Sequence, residues 1–147
     1  MKPYIYKTTV RFSDTDLYGV VHHSNYFKWL EEARIQAMED LIGLTVDWME
    51  ENTIRFPVIS VEGKYKKSVL ARQSILVNTY LYCSSAAKLL FCYDITDCQG
   101  IVYFVGQTNH AITKDNKLLL KMPCELENRI KGKMKDNEKE YFISWKN

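Results

Sequence analysis

The stretch Ser13-Asp14-Thr15-Asp16-Leu17-Tyr18-Gly19-Val20-Val21-His22-His23-Ser24-Asn25-Tyr26 places two carboxylates, a glycine, two imidazoles and a hydroxyl just ahead of a segment with helical periodicity. The first four amides of a helix have no partner inside it, and the helix dipole adds partial positive charge there. Such amides bind an anion or polarise a carbonyl. With His23 or Ser24 at the terminus, a backbone N–H would stabilise the oxyanion developing on an acyl group. A carboxylate beside it would attack the acyl carbon or activate water. A carboxylic acid of ordinary strength is ionised at neutral pH, so it suits base or nucleophile better than acid. Together these parts suit hydrolysis of an activated acyl compound. The plainer alternative is that Asp-x-Asp followed by glycine is turn and capping chemistry alone. His22 and His23, being adjacent, are expected to point apart, which disfavours shared metal ligation.

The elements that must position this loop follow from periodicity. Residues 4–12 mix β-branched and aromatic side chains like a strand, and Ser13, Asp14 and Asp16 halt it. From Ser24 onward, Tyr26, Trp29, Leu30, Ala33, Ala37, Met38 and Leu41 form one apolar stripe, which predicts a helix of about five turns. Ser24 is its expected N-cap and Gly43 its stop. After a connector at 45–52, strands are expected at 55–67, 74–84, 87–97 and 100–113. The breaks at 84–86 and 97–100 are short enough for two successive antiparallel hairpins. A short helix is expected at 124–130, after Pro123. One helix cannot bury both faces of five strands, so the expected architecture is α+β, an antiparallel sheet curved around one long central helix. Long strands leave long edges, and a homodimer is the expected way to cover them.

At 147 residues the chain fits one domain on the prior of roughly 150 residues per domain. Apolar residues make up 46% and charged residues 26%, values of a globular rather than a disordered chain. Its 20 Lys and Arg against 18 Asp and Glu leave a net charge of only +2, too balanced for a nucleic-acid binder. No run approaches the ~18 consecutive apolar residues of a membrane span, and the first residues lack a signal-peptide pattern, so a cytoplasmic location is expected. The four cysteines contain no C-x-x-C pair and are expected to be buried, reduced thiols rather than a metal site or disulfide framework. There is no G-x-S-x-G, Walker loop, G-x-G-x-x-G or H-E-x-x-H, and neither cofactor nor metal is expected. Residues 131–147 are charge-rich yet include Tyr141-Phe142-Ile143-Ser144-Trp145. They are expected to be an extension docked on the 1–130 domain or on a neighbouring subunit.

The pattern D-T-D-x-x-G-V-V-x-H-x-x-Y-x-x-x-x-E-x-A-R over 14–34 resembles the signature of hotdog-fold thioesterases of the 4-hydroxybenzoyl-CoA thioesterase and YbgC-like acyl-CoA thioesterase type. The resemblance implies a hotdog fold, a sheet wrapped around the long helix, with active sites at the interface of a homodimer or a dimer of dimers. It assigns the catalytic carboxylate to Asp16 and puts His23 at the thioester, its backbone amide polarising the carbonyl. Gly19, Val20, Val21, Ser24 and Tyr26 surround these two and are assigned to substrate contact. Glu31 matches the family's helix acid, a supporting polar contact or a solvated charge. Two departures border the acyl site: Phe12 and His22 stand where many members carry tyrosine, and both bear on substrate and rate more than on fold. CoA phosphates need cations, for which Lys64, Lys66, Lys67, Arg72 and Lys88 are the candidates, Lys88 being taken into the substrate-binding set. Hydrolysis of acyl-CoA is the leading expectation. Acyl groups on acyl carrier protein, or a non-catalytic hotdog dimer binding acyl-CoA or a protein partner, are the alternatives.

Overall fold

Residues of Tyr4–Thr9 (β1) are alternately half-buried and exposed, and the strand runs antiparallel to Ser74–Ser84 (β4). The computed structural model describes residues 2–84 and 86–130, so the expected extension at 131–147 lies outside the described residues. β1 stops sooner than expected because Phe12–Asp14 winds into one 3-10 turn. The Asp14 carboxylate there accepts the Arg11 amide at 2.9 Å, and the Asp14 amide donates to the Arg11 carbonyl at 3.0 Å.

β4, Lys88–Thr96 (β5) and Val102–Ala111 (β6) form the two successive hairpins expected, with Leu76 opposite Thr96 and Lys88 opposite Ala111. Val58–Tyr65 (β3) does not join this meander in chain order. It pairs with β6 at the far edge, giving the order β1-β4-β5-β6-β3. Between β1 and β3 lie the 20-residue helix His23–Ile42 (α1) and the short helix Val46–Glu51 (α2), which carry the chain from one edge of the sheet to the other. α2 replaces the expected connector, and the Thr45 hydroxyl caps it by accepting the Trp48 amide at 3.1 Å. Pro57, with no N–H for a ladder, separates β3 from Ile54–Arg55 (β2). β2 joins Thr113–Lys114 (β7) and Lys117–Leu118 (β8) in a small second sheet. The chain then enters the expected helix, Cys124–Ile130 (α3).

Tyr26, Trp29, Leu30, Ala33, Ala37 and Met38 of α1 are buried as the stripe predicts, with Ile42 added, whereas Leu41 is only half-buried. All of the buried ones but Ala37 belong to one core with Ile75, Val77, Phe91, Tyr93 and Phe104 of the sheet. Gly63 and Gly106 face each other across β3 and β6. A Cβ at Gly63 would lie 2.4 Å from the Phe104 ring and one at Gly106 2.7 Å from it, so this ring needs both glycines. Of the cysteines whose side chains are described, only Cys92 is buried; Cys98 is exposed in the β5–β6 turn and Cys124 at the start of α3, a correction to the expectation of buried thiols. Among the described residues, no helix is long and apolar enough to cross a membrane.

Inside the sheet–helix core, His110 is 0% exposed. Its Nδ1 lies 3.0 Å from the Phe56 carbonyl, an acceptor only, so Nδ1 carries the proton. Nε2 then accepts from the Thr108 hydroxyl at 2.8 Å, and that hydroxyl is 2.9 Å from the Tyr93 hydroxyl. Burial, aided by the Arg34 charge, pushes the His110 pKa down to about 4 against the pull of the Phe56 carbonyl. An unfolded histidine titrates near pH ~6.5, so between these values the unfolded chain binds the extra proton and stability falls as pH falls. The expected loss across the window is on the order of 3 kcal/mol. Urea unfolding from pH 7 to pH 4.5 should show this slope, and His110→Asn should flatten it; an unchanged slope in the variant would remove His110 as its source.

Candidate active site

The loop ahead of α1 is a small hairpin. Thr15 bridges Val21, the Asp16 amide donates to the Val20 carbonyl at 2.8 Å, and the Gly19 amide donates to the Asp16 carbonyl at 3.1 Å. Gly19 sits at φ +76°, a left-handed conformation that the tight reversal requires. The Tyr18 amide donates to Asp16 Oδ1 at 2.8 Å, which fixes the half-buried carboxylate against its own turn. Asp16 Oδ2 has no protein partner among the described residues. Asp14 has a different job. Its carboxylate closes the 3-10 turn, while its carbonyl accepts the His22 amide at 2.9 Å and the Asn25 side-chain amide at 2.7 Å, tying the loop to the helix.

The cap of α1 stands two residues earlier than expected, at His22 rather than Ser24. His22 is extended (φ −61°, ψ 136°), and its Nδ1 takes the Ser24 amide at 3.3 Å and the Ser24 hydroxyl at 2.7 Å. An imidazole nitrogen thus does the work expected of a hydroxyl, and Ser24 is spent inside the cap. Of the two amides considered for an oxyanion, the His23 N–H is the one left without a protein acceptor among the described residues. The rings of His22 and His23 do not diverge as expected. Their centroids are 4.2 Å apart, because the backbone turns from extended to helical between them.

Asp16 and His23 line the same open groove, of about 790 Å³, with Phe12, Leu17, Tyr18 and His22. Phe12, Leu17 and Tyr18 are 84%, 102% and 89% exposed, a concentration of bare apolar surface around a carboxylate. His23 also lines an adjoining groove of about 310 Å³ with Val20, Val21, Tyr26, Tyr65, Lys66 and Lys67. The Lys66 and Lys67 amides both donate to the Tyr103 carbonyl, at 2.8 and 3.1 Å, which fixes the backbone of both cations at this groove. Lys64 and Arg72 are not among its lining residues. Lys88 is not brought to the site. It pairs with Ala111, whereas Tyr65 beside His23 pairs with Phe104, seven residues and roughly 23 Å along β6 at the rise of a strand. Glu31 lies two turns along α1, 3.8 Å from Arg34, and faces neither groove. Tyr26 is buried in an aromatic cluster, where burial raises its hydroxyl pKa and a bond to the Val69 backbone opposes the rise.

Two contributors have no local sign in the sequence. The Tyr65 hydroxyl donates to the His23 carbonyl at 2.9 Å from across the fold. Val69 and Leu70 pair with the loop, the Val69 carbonyl accepting the Val21 amide at 2.9 Å. The function expected in this region rested on the cations Lys64, Lys66, Lys67 and Arg72 and not on Tyr65, Val69 or Leu70.

The model of the thioesterase-like superfamily matches residues 10–130. A Bacillus subtilis (strain 168) protein provisionally named acyl-CoA thioesterase YneP is 29% identical, over 69% of this chain and 72% of its own. The 1,4-dihydroxy-2-naphthoyl-CoA hydrolase of Nostoc punctiforme is 21% identical over 92% of this chain and 91% of its own. The crystal structure of an Aquifex aeolicus protein superposes with a TM-score of 0.80 at 29% identity, covering 88% of this chain and all of that one.

Open space surrounds Gly19, so a side chain there meets no atom within 4 Å and its cost is backbone strain alone. Gly19→Ala is expected to lower stability by about 1 kcal/mol in chemical denaturation. No measurable loss would mean that the Asp16 turn is not held as described.

Proposed function

The chain belongs to the thioesterase-like superfamily and is a thioester hydrolase of the hotdog fold, and from that premise we propose that it hydrolyses acyl-CoA to the free acid and CoA, with Asp16 as nucleophile or general base. The observation that carries this reading is one groove shared by a carboxylate oxygen without a protein partner and a helix-terminal amide without a protein acceptor, Asp16 Oδ2 and the His23 N–H. The thioester carbonyl oxygen accepts from the His23 amide, so charge developing there meets a donor already in place. Asp16 attacks the carbonyl carbon, forming an anhydride that water opens, or draws a proton from the attacking water. In either case the thiolate of CoA leaves. The Tyr18 amide on Oδ1 holds the carboxylate in one orientation throughout.

Lys66 and Lys67, in the groove that His23 shares, suit the phosphates of CoA, and Val20, Val21 and Tyr26 form the wall along which its arm would pass. The relatives' names, an acyl-CoA thioesterase and a naphthoyl-CoA hydrolase, favour CoA over acyl carrier protein. The motif over 14–34 favours the 4-hydroxybenzoyl-CoA thioesterase and YbgC-like branch.

A second copy of the chain completes this proposal. β3 is an edge strand with Val58, Ile59, Val61 and Tyr65 each about half exposed, an unprotected template for pairing. Antiparallel pairing of two β3 strands would cover this edge and supply walls to the bare groove at Asp16.

Asp16→Asn is expected to lower acyl-CoA hydrolysis, followed by free-thiol release, at least ~10²-fold with the oligomer intact. Near-normal turnover would refute the assignment. Val61→Lys puts a charge into the β3 edge and is expected to give monomers in sedimentation and to lose hydrolysis with them; a persisting dimer would exclude pairing through β3.

A further inference from the structure

The second half of α1 borders a different cavity, of about 500 Å³, walled by Ile35, Met38, Met49, Ile54 and Phe56 with Arg34 beside them. Such a volume and apolar lining with few polar groups are those of a small-molecule site, roughly 300–1,000 Å³. At a helical rise of 1.5 Å per residue, Ile35 is roughly 18 Å along α1 from His23. Within one chain the cavity is therefore separate from the Asp16 groove.

Arg34 is the unusual member. Its side chain is only 12% exposed, yet its one ion pair among the described residues is Glu31 at 3.8 Å, a carboxylate that is itself 62% exposed. Its other neighbours are neutral. His110 Nε2, at 3.5 Å, already accepts from Thr108, and the Tyr93 hydroxyl, which also meets Thr108, accepts a hydrogen bond from the guanidinium but brings no negative charge. A guanidinium has five donors and no acceptor, and a nearly buried charge facing one distant, water-screened carboxylate is poorly compensated. Arg55 against Glu50 leaves the lining with a surplus of positive charge.

We propose that this cavity binds a small organic anion with an apolar body, a carboxylate that pairs with the Arg34 guanidinium while its hydrocarbon part lies on Ile35, Met38, Met49, Ile54 and Phe56. Planar carboxylates match the guanidinium fork, and the apolar walls reject an ion without a hydrophobic body. The acid released by thioester hydrolysis belongs to this class, and that identification alone rests on the function proposed above.

Calorimetric titration of the full chain with octanoate and with octanol tests the site. Octanoate is expected to bind one per chain and at least ~10-fold more tightly than octanol, the equivalent of one charge-assisted contact. Arg34→Gln should remove that preference. Ile35→Trp, which fills the cavity from a partly exposed position, should abolish binding of both and does not depend on the buried network. Asp16→Asn should bind octanoate as the wild type does. Equal binding of octanol and octanoate, no binding to the wild type, or binding that survives Ile35→Trp would each overturn the proposal, as would its loss in Asp16→Asn. Octanoate binding combined with undiminished hydrolysis in Asp16→Asn would overturn the proposed role of Asp16 and leave this site standing.

Discussion

The first turn of α1 is held in place from outside the helix, and the rest of the site is built on that hold. The Tyr65 hydroxyl grips the His23 carbonyl, the Tyr26 ring meets Tyr65 edge-on at 4.9 Å, and Phe104 lies 5.2 Å from Tyr26 and 5.1 Å from Tyr65. Phe104 fits there because Gly63 and Gly106 have no side chains to meet its ring. Two absent methyl groups in the sheet thus determine where a helix amide stands. Aromatic contacts of this kind have defined geometry and little freedom, which suits them to aiming a backbone donor.

The two acids of the loop are committed to different degrees. Asp14 spends its carboxylate and its carbonyl on closing turns and on Asn25, while Asp16 keeps one oxygen uncommitted. A site made this way is preorganised by backbone hydrogen bonds rather than by other ionised groups. In the reaction proposed above, amide dipoles would supply the electrostatics, and these need no reorganisation as charge develops.

What was legible in the sequence was local. The helix stripe from Tyr26 to Met38 and the hairpins of β4, β5 and β6 announce themselves through periods of 3.6 and 2, and the loop with its carboxylate, glycine and histidine lies within a dozen residues. The placement of β3 was not legible, because an edge position is decided by which strand remains unpaired and not by the residues of the strand. His22 as N-cap escaped notice because imidazole is an uncommon cap and Ser24 stood two residues away. α2 has only 6 residues, too few to display a helical period in the sequence. Lys88 shows the limit of residue type: a lysine next to a strand has a charge, but the pairing register decides at which end of the sheet that charge lies. Tyr65 reaches His23 across 42 positions of chain, a distance over which no spacing rule operates.

At the other end of α1, Arg129 of α3 donates to the carbonyls of Ile42 and Gly43 at 3.4 and 3.1 Å and lies 4.7 Å over the Trp48 ring. Gly43 can close the helix in its left-handed conformation, but these carbonyls gain their cationic partner only from a residue 86 positions later. On the ribosome, the central helix therefore waits for nearly the whole domain to emerge before its exit is sealed. Its apolar stripe is covered earlier, once the strands that carry Ile75, Phe91 and Phe104 have followed it out.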